Sequence, residues 1–170
     1  QYHFGSKEGL LQAIIDKHVP GIIARRHALL DQVDARGAGS LREVVRAFSL
    51  PVAEKLRDPD GGRDFIRINA QLVAIHTVST QHPGGSRLKL PGNDRLSRAL
   101  HEALAPLGLP EAVLRQRSLL AAVLLFHGLA DHSRMLEAVG RDAPSMDTNL
   151  FIDTVEQELR PAAGAARRPR

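Results

Sequence analysis

The residues best placed to do chemistry are polar side chains set into apolar stripes. His18 stands between Ile14 and Ile22 at four-residue steps. Asn69 and His76 are seven residues apart, hence on one face of a helix, in a stripe with Phe65, Ile68 and Leu72. A polar group on a buried face needs a partner, because an unpaired one costs free energy. Two readings stay open. Each residue is satisfied within its own fold, or the three line a cavity and orient a mostly apolar ligand. Ile22, Phe48, Ile66, Leu72 and Phe126 are the further candidate walls of such a cavity.

Other chemistries find weaker support. His127, Asp131 and His132 resemble metal ligands, but 127 and 131 share a helix face and 132 is turned away, so a tight metal site is not expected. The chain has no cysteine, which excludes a thiolate metal site, a disulfide scaffold and a cysteine nucleophile, and fits a reducing cytoplasm. No serine lies in a nucleophile-elbow pattern. No pair of carboxylates stands at helical spacing in an apolar setting, so no enzyme is expected. Gly84-Gly85 precedes no strand-to-helix turn, and no cofactor motif is present. Arg25-Arg26 and Arg115/Arg117 are expected on solvated faces.

These residues must be positioned by helices. Of 170 residues, 43% are hydrophobic and 25% charged, a globular balance. No period-two strand and no hairpin dipeptide between alternating runs appears. Ser6 caps a first helix that runs to about Ala35, with a kink at Pro20-Gly21. Ser40 caps a second, with Pro51 inside it. Asp58-Pro59-Asp60-Gly61-Gly62 is a turn, and a third helix covers about Arg63 to Val78. Residues 80–93 hold Pro83, Gly84, Gly85, Pro91 and Gly92 and read as a loop.

A fourth helix covers Asp94 to Leu107, a fifth starts at Pro110 and ends near Val139, and a sixth spans Asp147 to Arg160. The fold class is all-α, a bundle of about six helices. The longest apolar run, Leu119 to Phe126, is far short of the roughly 18 residues of a membrane span. The fifth helix is apolar nearly all round from Leu119 to Ala130, so it must be covered on two sides, by its own chain alone or by its own chain and a partner.

Tyr2-His3-Phe4-Gly5-Ser6-Lys7-Glu8-Gly9-Leu10-Leu11 resembles the junction between the DNA-recognition helix and the fourth helix of TetR-family transcriptional regulators. The match covers ten residues without a gap; the rest of the chain resembles the family in architecture alone. The resemblance implies that residues 1–5 are the remnant of a helix-turn-helix domain and 6–160 an effector-binding and dimerisation domain; composition alone makes 161–170 a disordered Arg-rich tail. On this view most of the DNA-binding domain precedes Gln1.

Tyr2, His3 and Lys7 would meet the DNA backbone, whose phosphates position a protein without reading sequence. Phe4 would join the reading head to the first helix. Leu120, Val123, Leu124, His127, Phe151 and Val155 would form a two-fold dimer face; without the resemblance, intramolecular core explains them equally well.

The implied function is a ligand-responsive repressor in the cytoplasm. Its implied partners are operator DNA, a small-molecule effector and a second copy of the chain, with no membrane, metal or cofactor. The alternative is a stand-alone helical ligand-binding or dimerisation module without DNA binding. Charge agrees with either reading. The formal net charge is +4, yet Arg167, Arg168 and Arg170 lie in a final decapeptide without an acid, which leaves the body near neutral.

Overall fold

A computed structural model describes residues 7–35, 37, 39–79, 94–140 and 146–160, and for Glu8 and 73–79 the backbone alone. Among the described residues there are six α-helices and no strand. They are α1 (Lys7–Asp34), α2 (Leu41–Ala53), α3 (Gly62–Ser79), α4 (Asp94–Leu104), α5 (Glu111–Val139) and α6 (Thr148–Leu159). Short 3₁₀ turns follow α2 (Glu54–Arg57) and α4 (Ala105–Leu107). The expected loop over 80–93, the tail over 161–170 and the capping Ser6 lie outside the described residues.

Local signals explain the boundaries. Ser40 precedes α2 as one half of a capping box: Glu43 N donates to its Oγ at 3.3 Å, and its own amide donates to the Glu43 carboxylate at 3.0 Å. Asp147 caps α6, its carboxylate accepting from the amides of Asn149 and Leu150. Pro110 sits just ahead of α5, where its missing amide costs nothing.

Where the sequence predicts an interruption at Pro20-Gly21, α1 continues as one helix through Pro20. Pro20 is on an exposed position, and the carbonyl it leaves without an intrahelical partner belongs to the exposed Asp16. The buried residues Ile15, His18, Ile22, Arg26, Leu29, Leu30 and Val33 keep one stripe across that point, so tertiary packing carries the helix past the proline.

Two apolar clusters fill the bundle. The first joins Ile22 of α1, Val52 of α2, Phe65 and Ile66 of α3, and Leu125 and Leu129 of α5. The second joins Leu41 and Val45 of α2, Leu104 of α4, Ala121 of α5, and Val155 and Leu159 of α6. Phe48 of α2 and Phe151 of α6 pack against both. The Phe151 ring of α6 packs onto Gly128 of α5: a Cβ there would lie 3.0 Å from Phe151 Cε2. α6 is fastened to α2 by Arg42–Asp153 at 2.6 Å, and to α5 by Arg117, which donates to the Glu158 carbonyl at 3.1 Å and to that of Arg160.

The α2–α3 turn is tightly specified. The Asp60 amide donates to Asp58 Oδ1 at 2.9 Å, and Gly61 takes φ +81°. Gly62 then passes so close to the 3₁₀ turn that a Cβ on it would lie 2.2 Å from the Lys55 carbonyl oxygen. This turn fixes three groups that matter below: Asp58 beside α1, and Arg57 and Arg63 on either side of the chain reversal.

Candidate ligand-binding site

Five of the expected cavity residues come together around the first cluster. Ile22 and Ile66 are buried in it, Phe48 and Phe126 pack against it, and His18 stacks on its Phe65 with ring centroids 4.8 Å apart. Asn69 is half-buried and donates to the Phe65 carbonyl, four residues back on its own helix, at 3.0 Å. Leu72 is half-buried on α3, and the side chain of His76 lies outside the described residues.

His18 has chemistry even without a ligand. It is 4% exposed, and its Nδ1 lies 3.8 Å from Asp58 Oδ2. Asp58 is held below the usual carboxylate range, first by the Lys55 ammonium at 2.8 Å and then by the Asp60 amide. Burial pushes the His18 pKa down, the Lys55 charge adds to this, and Asp58 opposes it.

The native state therefore binds fewer protons at this site than the unfolded chain. The stability this lends is complete above the unfolded value of about 6.5, and is lost as pH falls from there toward the native value. Thermal unfolding at pH 7.5 and 5.0 should show lower stability in acid, and His18→Gln should narrow that gap. An unchanged gap would take the acid sensitivity away from His18.

Arg26 corrects an expectation. It is 6% exposed, not solvated, because it continues the α1 stripe from His18 and Ile22 at four-residue steps. Its Nη2 donates to the Phe48 carbonyl at 3.2 Å, and its guanidinium lies 5.6 Å from the Phe48 ring centre. Burial lowers its pKa to about 10, which leaves it charged at neutral pH. Arg25, its neighbour, is on the surface and holds Glu54 of the 3₁₀ turn at 3.2 Å.

None of the expected cavity residues lines the cleft that opens beside that turn. It has a volume of about 420 Å³, in the range of small-molecule sites. Leu50, Ala53, Leu56, Leu136 and Met146 make its apolar wall, and Glu54, Arg57, Arg63, His132 and Thr148 its polar one. Arg63 Nε donates to the Leu56 carbonyl at 3.2 Å, which ties the start of α3 to the 3₁₀ turn. Burial, and then the charge of Arg63, lower the pKa of His132, so at neutral pH its ring is uncharged and can both donate and accept. Sequence reasoning misses this cleft, because its cations come from one turn and its imidazole from a helix some seventy positions later.

The expected dimer residues divide in two. Leu120 is 48% exposed, His127 is exposed, and Val123, Leu124 and Phe151 are half-buried. Val155 is fully buried among the α2, α4, α5 and α6 side chains of a single chain, so it has no surface left for a second copy and is removed from that face. Leu119 and Leu150, the latter 65% exposed, widen the apolar surface beyond the residues expected.

By length and apolar content alone α5 could cross a membrane, with mean hydropathy 1.2 over its most apolar 18 residues. It also supplies core residues to both clusters. Among the described residues no three His, Cys, Asp or Glu side chains are grouped to hold a metal, and Asp131 pairs with Arg134. Lys7 is exposed at the start of α1; Tyr2 and His3 lie outside the described residues.

No protein-family model matches the chain. No curated protein matches it, and neither does any solved structure.

Proposed function

We propose that the chain is the effector-binding and dimerisation part of a TetR-like transcriptional regulator, a homodimer that releases operator DNA when a small molecule binds. The observation that carries this reading is the surface of α5. Only 22% of its most apolar 18-residue stretch is buried within the chain, and Leu119 and Leu120 stand exposed on it. An apolar face of that kind, continued by Leu150 on α6, suits an isologous contact between two copies. The ten-residue segment leading into α1 supports the rest, because it resembles the family's link to the reading head.

A route from ligand to DNA follows from the joints of α1. Glu54 belongs to the cleft wall and to the ion pair with Arg25 on α1. Asp58, at the end of the same turn, faces His18 on α1. A ligand that moves the 3₁₀ turn thus changes the seating of the helix that would carry the reading head. Ligand and DNA must then weaken each other reciprocally. Operator DNA and backbone contacts from Tyr2, His3 and Lys7 complete the proposal.

The complete gene product should enrich, from sheared genomic DNA at physiological salt, an inverted repeat whose half-site centres are about one helical turn apart. Enrichment no better than that of bulk DNA would overturn the regulatory reading.

A further inference from the structure

Resting on the reading above that this domain binds a small molecule, we infer that the cleft between the 3₁₀ turn, α3 and α5 takes an amphipathic organic anion: a carboxylate on an apolar body. The charges around the cleft carry this. Glu54 is engaged by Arg25 through three hydrogen bonds of 3.2–3.3 Å. Asp58 is held by Lys55 at 2.8 Å and Glu137 by Arg67 at 2.7 Å. Asp147, next to the cleft's Thr148, is turned to the amides that open α6.

Among the described residues, each of these four carboxylates thus has its own partner. Among the described residues, no carboxylate forms an ion pair with Arg57 or Arg63. Two cations therefore face the cleft without a counter-charge in contact among the described residues, beside a neutral imidazole. A planar carboxylate meets a guanidinium through two parallel hydrogen bonds, which neither water nor a neutral head group reproduces.

The opposite wall selects the body of the ligand. Leu50, Leu56, Leu136 and Met146 offer an apolar surface with one flexible thioether. A bare inorganic anion would leave that surface wet. An uncharged apolar molecule would bury it while displacing water from two arginines, at a cost in polar desolvation. A single molecule with an anionic head and an apolar tail satisfies both walls.

The test uses isothermal titration of this chain, without DNA, with decanoate, decan-1-ol and inorganic phosphate as probes. Decanoate should bind saturably and about tenfold or more tightly than decan-1-ol, the size of one charge-assisted contact. Arg57→Gln combined with Arg63→Gln should weaken decanoate about tenfold and leave decan-1-ol unaltered, and Arg57→Lys, which keeps the charge without the paired hydrogen bonds, should retain only part of the affinity. Phosphate should compete poorly.

No saturable decanoate binding up to about 5 mM would overturn the inference. So would equal affinity for acid and alcohol, decanoate binding unchanged in the double variant, or competition by phosphate as strong as that by decanoate. Because no DNA is present, these outcomes are separate from the failure of genomic enrichment, which bears on the regulatory reading alone.

Discussion

Gly62→Ala should destabilise the protein by about 3 kcal/mol or more, as forced overpacking against a rigid neighbour does. The new Cβ would meet the Lys55 carbonyl oxygen at 2.2 Å, the Lys55 carbonyl carbon at 3.2 Å and Asp58 Cβ at 2.6 Å. Two of these atoms are backbone, so no rotamer change relieves the clash. Either α3 moves away from the 3₁₀ turn or the turn unwinds. Both movements pull Asp58 from His18 and spread Arg57 from Arg63.

Gly21→Ala is the internal control. Nothing lies within 4 Å of a Cβ there, and the position is inside α1, so alanine should stabilise by about 0.5–1 kcal/mol. Urea unfolding of the two variants checks both signs. A Gly62→Ala protein within about 0.5 kcal/mol of the parent would mean that the turn adapts and does not dictate the geometry around it.

Leu120→Glu should turn a dimer into a monomer. Leu120 is 48% exposed within one chain, on the side of α5 that also carries Leu119. An isologous interface counts each substitution twice, and two carboxylates forced into an apolar contact lose both the burial and the fit. The dimer dissociation constant should rise about 100-fold or more, the range of a central interface residue on both sides. Sedimentation equilibrium at micromolar concentration measures it. Circular dichroism should stay helical, because Leu120 belongs to neither core cluster. A parent that sediments as a monomer would remove the homodimer from the proposed function, and a variant that remains a dimer would remove the Leu120 face of α5 from its interface.

The helices were legible because their ends carry local chemistry. Ser40 with Glu43, Asp147 and Pro110 mark starts that the backbone confirms to within a residue or two, and apolar steps of three and four mark the buried faces. Pro20 misled, since a proline predicts a local cost and α1 is held on both sides of it by Ile15 and Ile22 in the core.

The side chains were less legible than the helices. His18 and Asn69 stood out as polar residues in apolar stripes. Asn69 proves to be satisfied by its own helix, and His18 lies against the Phe65 ring and faces Asp58 at 3.8 Å. The charge of Arg26 points to the surface, but its four-residue step from Ile22 puts it in the buried stripe. The cleft had no linear signature at all. Arg57, Arg63 and His132 converge only after the Gly61-Gly62 turn reverses the chain and α5 packs on α3.

The seating of α6 has a consequence for the order of events during synthesis. The second cluster needs Ile152, Val155 and Leu159 to cover Leu41 and Val45, which leave the ribosome more than a hundred residues earlier. Arg42–Asp153 spans 111 positions and Arg46–Asn149 spans 103. The first cluster draws its buried residues from α1, α2, α3 and α5 and can assemble once α5 has emerged, with Phe151 of α6 added to it last. The nascent chain thus passes through a stage with one core shut and the α2–α4 side still open. Its exposed leucines are shielded only when the last turns of α6 arrive, and until then they form the surface that chaperones or a misplaced second copy would meet first.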